Sequence, residues 1–346
     1  MRLTSKFWPA AAVVLFAALA LTDTSAARTE TARLLPVLVF AGAMSAMVNL
    51  AAQAGVFEAL AAWIERTRFV WPAFLFLCVL VTIFLSLDTT AIMLTPLAVA
   101  VARRNGLSVA ALSLSVVWIA NLGSMLLPVS NLTNLLALRH FASTYAFLAV
   151  SWRPALVGIA VAVAASYVAR FIFVTEGAAG PEHSSDTPLS PGAPLWILGL
   201  TVLALLTPIP FWATSTVGAG AMALAVGVEK RADLIPWQSL ALVVAISSAV
   251  ALLPPLHPNA PAALSGAVTA NLVNNLPAYL LLELDEPMQL LVGVNFGPLV
   301  TPWASLATLL WHSQLKRAGV HIPWRVYIAF GCVLAPLAVW LGSAVA

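Results

Sequence analysis

The chain has 346 residues, of which 62% are hydrophobic and 8% are charged, and its formal net charge is +3. A soluble domain carries about 25% charged residues, so this composition excludes an ordinary soluble protein and predicts a polytopic membrane protein. Basic residues of a membrane protein mark its cytoplasmic loops, so the small positive charge does not indicate a nucleic-acid partner. The two cysteines, Cys78 and Cys332, both lie in apolar runs, which predicts neither a disulfide framework nor a metal site.

The N-terminal region, 1–53, is predicted to hold two spans. Two basic residues precede the first apolar run, so a span at about 7–22 leaves the N-terminus in the cytoplasm. The alternative is a signal peptide cleaved near residue 26. A second span at about 34–53 returns the chain to the cytoplasm, and residues 55–66 are predicted to form an amphipathic helix at the membrane surface.

The first repeat is predicted to cover 54–174 and to begin with a re-entrant hairpin at about 69–102. Asp88, near the middle of this run, is its only charged residue, and basic residues flank the run on both sides. These basic residues are Arg66, Arg68, Arg103 and Arg104. A hairpin whose tip lies near Asp88 keeps all four in the cytoplasm. Two closely spaced full spans would satisfy the same rule.

The next apolar run, 107–138, is longer than one straight crossing, which takes about 20 residues. It is therefore predicted to be a broken helix with an unwound centre at 123–131. Residues 121–136 recur without a gap as 295–310, with six identities in sixteen positions. Both copies place Gly, Pro and amide or hydroxyl side chains inside an apolar segment. Two interrupted segments at corresponding places in two halves are typical of a transporter binding site.

The remaining chain completes an inverted repeat. A return span is expected at 145–170, and a Gly-, Pro- and Ser-rich linker at 175–194 joins the halves. The second repeat, 195–346, contains a hairpin at about 259–282, entering from the opposite face, and a broken helix at about 287–314. Its ordinary spans are expected at about 195–210, 212–228, 235–256 and 322–345. The predicted fold is an all-α polytopic inverted-repeat transporter with about nine spans, two re-entrant hairpins and two broken helices.

Asp88 is the residue with the clearest chemical signal. A carboxylate deep in the membrane costs roughly 2.5–3.5 kcal/mol, and such residues usually line a substrate or proton path. With Thr89 and Thr90 beside it, Asp88 is a candidate site for a coupling H⁺ or Na⁺. The alternative is that Asp88 caps one arm of the hairpin by accepting backbone N–H bonds.

Asn274 and Asn275 lie at the tip of the second hairpin, where a weak alignment at an offset of 187 residues sets Asn275 opposite Asp88. Amides donate and accept hydrogen bonds but do not release a proton. These residues are therefore candidates for binding a ligand or ion, and not for coupling. The alternative is that they join neighbouring helices by hydrogen bonds.

The unwound centres supply the remaining candidates for substrate or ion binding, because helix ends there present free N–H and carbonyl groups. The candidates are Ser130, Asn131 and Asn134 in the first half, and Asn295, Thr301, Ser305 and Thr308 in the second. The alternative is a pair of proline kinks whose freed backbone groups are bonded again by nearby side chains.

Several of these segments resemble the arsenite/antimonite efflux permeases of the ion transporter superfamily. The most specific block is Gly-Pro-Leu-Val-Thr-Pro-Trp-Ala-Ser-Leu-Ala-Thr-Leu-Leu-Trp at 297–311. Leu-Asp-Thr-Thr-Ala-Ile-Met-Leu-Thr-Pro at 87–96, Pro-Val-Ser-Asn-Leu-Thr-Asn at 128–134 and Asn-Asn-Leu-Pro at 274–277 support it. The resemblance implies a proton-coupled exporter of trivalent arsenic or antimony. In these permeases an Asp usually precedes Leu-Gly-Pro, where this chain has Asn295 in Asn-Phe-Gly-Pro.

The expected function is export of arsenite or antimonite by proton antiport, with Asp88 as the coupling residue. The alternative is a sodium- or proton-coupled carrier of dicarboxylate, citrate or another anion, since the wider superfamily includes such carriers. An intramembrane enzyme is not expected, because no nucleophile–base pair or metal cluster accompanies Asp88 in the sequence. The expected partners are a small inorganic oxyanion or hydroxylated metalloid, the coupling ion, the lipid of the inner (plasma) membrane and a second copy in a homodimer. No cofactor is expected.

Overall fold

The computed structural model of the protein describes residues 7–173, 192–227, 234–253, 259–283 and 287–346. Helices are the regular elements of these residues, as predicted for an all-α polytopic membrane protein. The first half contains α1 (Phe7–Thr22), α2 (Thr24–Gln53), α3 (Val56–Glu65), α4 (Val70–Leu85), α5 (Leu87–Thr89), α6 (Thr95–Arg104), α7 (Val109–Leu122), α8 (Leu132–Ala137) and α9 (Thr144–Ile172). The second half contains α10 (Gly192–Ala204), α11 (Phe211–Val226), α12 (Trp237–Ala251), α13 (Ala262–Val273), α14 (Asn275–Leu281), α15 (Pro287–Phe296), α16 (Leu306–Arg317) and α17 (Trp324–Ser343). Within the described residues, α2, α9 and α17 are long and apolar enough to cross a membrane.

Helix α2 begins earlier than the predicted span at 34–53. Asp23 caps it by accepting hydrogen bonds from the backbone N–H groups of Ser25 and Ala26, each at 2.9 Å. These bonds and one from the Ser25 hydroxyl hold the pKa of Asp23 below its usual range. Hydropathy marks only where the apolar run begins. The helix starts ten residues earlier because the cap satisfies its first N–H groups.

The described helices pack as two bundles. In the first bundle, α1 packs on α2 and α12, and α10 and α11 pack on α2. The second bundle contains the two helix pairs around the repeats: α4 to α9, and α13 to α17. The short helix α3 contacts α2, α4 and α6, so it joins the bundles near one end. All the candidate residues of the sequence lie in the second bundle.

Each repeat contains a helical hairpin followed by an interrupted helix. The first hairpin runs up α4, turns at Ser86 and returns through α5, a π-helical turn at Thr90–Leu94 and α6. The second turns at Asn274, between α13 and α14. Helix α14 has seven residues and rises about 10 Å, whereas the hydrocarbon core is about 30 Å thick. This arm is too short to cross a membrane.

A charge cluster ties the two bundles together. Glu283, which follows α14, pairs with Arg33 of α2 at 2.9 Å and with Arg139 at 2.8 Å. His140 and the Tyr279 hydroxyl reach its other oxygen at 3.1 and 2.9 Å. The side chains of Arg33 and Glu283 are only 10% and 11% exposed. Removing one partner of a pair this shielded from water would leave an uncompensated charge, so the loss of Arg33 or Glu283 should be destabilising.

Some expected features fall outside the described residues. Residues 174–191 contain nearly all of the linker predicted at 175–194, and its last three residues already belong to α10. The basic residues at 2, 6, 230 and 231 also lie outside.

Close packing in the second bundle depends on glycine. A Cβ atom on Gly158 of α9 would overlap the carbonyl oxygen of Leu122, at the end of α7. It would also lie 2.7 Å from the ring of Phe296, at the end of α15. The absence of a side chain at Gly158 therefore lets α9 pack closely against the ends of both α7 and α15.

Replacing Gly158 with Ala should lower the thermal stability of the detergent-solubilised protein. The added methyl group meets a backbone carbonyl that cannot move aside, whereas Gly199 of α10 has open space around its Cα. The control, Gly199→Ala, should leave the melting temperature unchanged or raise it slightly, since Ala favours a helix by about 1 kcal/mol over Gly. Equal melting temperatures for the two variants would contradict this account of the packing.

Candidate functional site

The first unwound segment lies between α7 and α8, and polar side chains bond its backbone. The Ser130 hydroxyl donates to the carbonyl of Ser124 at 2.5 Å or that of Leu127 at 2.6 Å. The amide of Asn134 donates to the same two carbonyls, at 2.8 and 3.1 Å. Ser130 and Asn134 were predicted to face a ligand. In this structure their donors satisfy carbonyl groups that helix geometry no longer pairs.

Asn295, at the end of α15, joins this segment to the other half of the chain. Its Oδ1 accepts hydrogen bonds from Asn131 Nδ2 at 3.0 Å and from the Thr133 hydroxyl at 2.7 Å. Its Nδ2 donates to Asn134 Oδ1 at 2.7 Å. All four side chains are buried. Position 295 needs one acceptor and one donor, which an amide supplies and an ionised carboxylate does not.

The second unwound segment, 297–305, is bonded by the second hairpin. Asn271 Nδ2 donates to the Gly297 carbonyl at 2.8 Å, and Asn271 Oδ1 accepts from the backbone N–H groups of Val300 and Thr301 at 3.2 and 3.0 Å. The Thr301 hydroxyl donates to the Asn271 carbonyl at 2.8 Å. The sequence prediction did not include Asn271. Asn271 could have been predicted as a site residue because it lies three residues before Asn274, and so on the same face of a helix.

The tip of the second hairpin is attached to the same segment. Asn274 Nδ2 donates to the carbonyl of Trp303 at 2.8 Å, and the backbone N–H of Asn275 donates to the carbonyl of Ala304 at 2.8 Å. Both asparagine Oδ1 atoms accept from the N–H of Leu276. The two predicted site residues therefore contact the unwound backbone of their own half.

The first hairpin tip has the same unusual backbone as the second. Ser86 has φ +123° and ψ +161°, and Asn274 has φ +96° and ψ +154°. Among the described residues, these two are the non-glycine residues with positive φ. This region of φ and ψ is occupied almost entirely by glycine, and residues forced into it cluster at functional sites. The backbone thus pairs Ser86 with Asn274, an offset of 188 residues, so Asn275 aligns with Leu87 and not with Asp88.

The alternative that Asp88 caps an arm of the hairpin is not what the structure shows at this tip. Ser86 is the cap, since its hydroxyl oxygen accepts from the N–H of Thr89 at 3.3 Å. The Thr90 hydroxyl bonds the Ser86 carbonyl at 3.0 Å and the Thr82 hydroxyl at 2.9 Å. Asp88 Oδ1 is buried and has no hydrogen-bond partner among the residues that the structure describes.

Ser305 and Thr308, at the start of α16, differ from their counterparts Asn131 and Asn134. The Thr308 hydroxyl bonds the hydroxyl of Tyr327 at 3.0 Å. Ser305 Oγ is buried, and within the described part of the chain it has no hydrogen-bond partner. The structure therefore brings Asn131, Asn134 and Asn295 into one network, with Thr133 added, and leaves Asp88 and Ser305 with unpartnered oxygens.

Nearly the whole chain matches a family model. The family model described as citrate transporter matches residues 3–339. The chain belongs to this family. It is therefore a polytopic membrane protein of a transporter family, and the expected membership of the ion transporter superfamily is confirmed. Specificity for arsenite stays a prediction.

Two more facts bear on what the site can bind. Cys78 is buried and Cys332 is exposed, and both are free thiols. No group of three or more His, Cys, Asp or Glu side chains that could hold a metal ion occurs among the described residues. Amide, hydroxyl and carboxylate groups are thus the chemistry that the described part of the candidate site offers.

Replacing Asn295 with Leu should destabilise the protein more than the same change at its repeat counterpart, Asn121. The first variant leaves polar atoms of Asn131, Thr133 and Asn134 without their hydrogen-bond partner. Interhelical hydrogen bonds in membrane proteins contribute about 0.6–1.7 kcal/mol each, so the loss of three should be roughly 2–5 kcal/mol. Among the described residues the side chain of Asn121 bonds the Val117 carbonyl of its own helix, so Asn121→Leu should cost less than Asn295→Leu. Thermal unfolding in detergent measures both, and equal destabilisation would show that the network adds no stability.

Proposed function

We propose that the protein is a secondary active transporter that exports arsenite or antimonite in exchange for protons, with Asp88 as the coupling residue. The observation that carries the proposal is the charge pattern of the site. The four segments that form the hairpins and broken helices contain one residue of the Asp, Glu, Lys and Arg types, which is Asp88. These segments are 69–102, 107–138, 259–282 and 287–314.

Arsenite near neutral pH is the uncharged trihydroxide, so its binding requires hydrogen-bond partners and no compensating cation. The helix ends at the two unwound segments present backbone N–H and carbonyl groups that can be such partners. A membrane site with one carboxylate and no basic residue favours a neutral hydroxylated substrate, because an anionic substrate would be repelled by Asp88 unless a bound cation neutralised it.

The position of the most specific sequence block supports the same substrate. Residues 297–311 form the unwound segment held by Asn271 and the first turns of α16. The block that resembles the arsenite permeases therefore builds the site itself. Asn295 is the departure, and in the structure its amide bonds three side chains of the first half.

A carboxylate carrier is the second candidate, and the description of the matched family favours it. Helix α16 has twelve residues, and its first turn follows the extended residue Ser305. The free N–H groups of such a helix start attract an oxyanion. In this alternative, a cation bound at Asp88 would offset the charge of the carboxylate.

Asp88→Asn should abolish proton-driven transport, because the amide keeps the shape of the side chain but cannot carry a proton. Everted vesicles that hold the variant would be given arsenite, antimonite, citrate or succinate under an imposed proton or sodium gradient. The control is Glu58→Gln, the same chemical change at an exposed position of α3. It should transport at the wild-type rate.

Unchanged proton-dependent transport in the Asp88→Asn vesicles would remove the coupling role. Sodium-dependent uptake of citrate or succinate, without arsenite movement, would replace the first candidate by the second. Both variants should appear in the membrane at wild-type levels, which immunodetection measures.

A further inference from the structure

The inverted repeat creates two equivalent positions, each between the end of one broken-helix arm and the start of an arm in the other half. The hydrogen bonding at the two positions differs. The offset of 174 residues pairs Asn121 with Asn295 and Ser305 with Asn131. In one position, Asn295 of α15 meets Asn131 at the start of α8, with 3.0 Å between Oδ1 and Nδ2. The operation that exchanges the halves carries this contact to Asn121 of α7 and Ser305 at the start of α16.

Two hydrogen bonds fix how α7 and α16 lie against each other. Trp311 Nε1 donates to the Ser113 carbonyl at 2.7 Å. Arg103, at the end of α6 and shortly before α7, donates to the carbonyl of Ala318, just after α16, at 3.3 Å. The two helices are therefore antiparallel. Ser305 precedes Trp311 by six residues, and Asn121 follows Ser113 by eight, so both lie about 9–12 Å from that bond in the same direction.

Asp88 lies at this same junction. Its short helix, α5, contacts both α7 and α16, and α7 contacts α16. Asp88 Oδ1, Asn121 Oδ1 and Ser305 Oγ are all buried atoms without a hydrogen-bond partner among the described residues. Asn121 is 1% exposed and Ser305 is 0% exposed. The three unpartnered oxygens thus lie on three elements that contact one another, whereas the symmetry-related position has a complete network.

A proton satisfies all three oxygens at once. A protonated Asp88 can donate its O–H to Asn121 Oδ1, and the Ser305 hydroxyl can donate to the remaining carboxyl oxygen. Without the proton, Asn121 Oδ1 and the Asp88 carboxylate are both acceptors, so neither can bond the other. Buried acceptors without a partner destabilise the structure, so the arrangement favours the protonated state.

Few other ionisable groups face this junction from the elements packed on it. Helix α7 and the π-helical turn have none, and α4 has Cys78. On α16, His312 lies two turns beyond Ser305 and stacks on Trp324, with 4.2 Å between the rings. The other charged residues of these elements are at the far helix ends: Arg103, Arg104, Lys316 and Arg317.

We propose that this chain carries one coupling proton, held on Asp88 and completed by Asn121 and Ser305, because the amide of Asn295 closes the second position. The inference rests on the proposed coupling role of Asp88 and adds the partners of the proton and the number of protons bound. Asn121 and Ser305 are positioning residues that recognise the protonated acid. Asn295 takes the place of a second titratable group.

The test is infrared difference spectroscopy between low and high pH on the purified protein in lipid, with no substrate added. The wild type should show a carboxylic-acid C=O band that is missing in Asp88→Asn. Asn121→Leu and Ser305→Ala should keep the band and move it to higher frequency, because the acid has lost a hydrogen bond. Glu58→Gln is the matched control and should leave this band in place.

Asn295→Asp tests the second position. As a protonated acid it can donate to Asn134 Oδ1 as the amide does, so this variant should gain a second carboxylic-acid band. Absence of an Asp88 band in the wild type, or an unmoved band in both Asn121→Leu and Ser305→Ala, would overturn the proposal. Loss of the band on adding Na⁺ at constant pH would assign the site to a metal cation and also overturn it. The spectra are recorded without substrate, so they test the proton site even if the protein does not transport arsenite.

Discussion

The structure depends on one constraint: lipid offers no hydrogen bonds to backbone groups. A membrane protein that interrupts a helix must therefore bond the freed groups with its own side chains. Ser130 and Asn134 do this in the first half, and Asn271 does it in the second. Residues that look like ligand-binding groups in the sequence are largely committed to the backbone. What they create is a stable break, with a helix start on one side and a helix end on the other.

The same constraint explains why the two halves are joined by amides. Asn295 brings a donor and an acceptor to the first broken helix, and each meets its complement. Close approach of the helices is possible because glycines face the contact, as Gly158 does toward Leu122 and Phe296. Packing and polar satisfaction therefore act on the same few turns of helix. The outer cluster around Glu283 then attaches this bundle to the first one.

Much of the architecture could be predicted because hydropathy, charge and internal repetition report on it directly. The interrupted helix expected at 107–138 is present as α7 and α8 with the break between them, and the second hairpin turns within one residue of the tip expected at Asn274 and Asn275. Helix α2 starts ten residues early because a cap, and not hydropathy, sets its first turn. Asn271 was missed since its role depends on which distant segment its helix meets. The positive φ angles of Ser86 and Asn274 could not be predicted from the sequence either, because neither residue is a glycine.

The amide of Asn295 also bears on how steep a gradient the cell can maintain. One elementary charge crossing 100 mV releases about 2.3 kcal/mol, which supports roughly a 50-fold concentration ratio of a neutral substrate. Two charges would support about a 2000-fold ratio by the same arithmetic. On the one-proton proposal, this chain works at the lower limit and uses less of the proton gradient for each substrate molecule. Codons for Asn and Asp differ by one base, so on this proposal a single mutational step can change the limit on the substrate ratio.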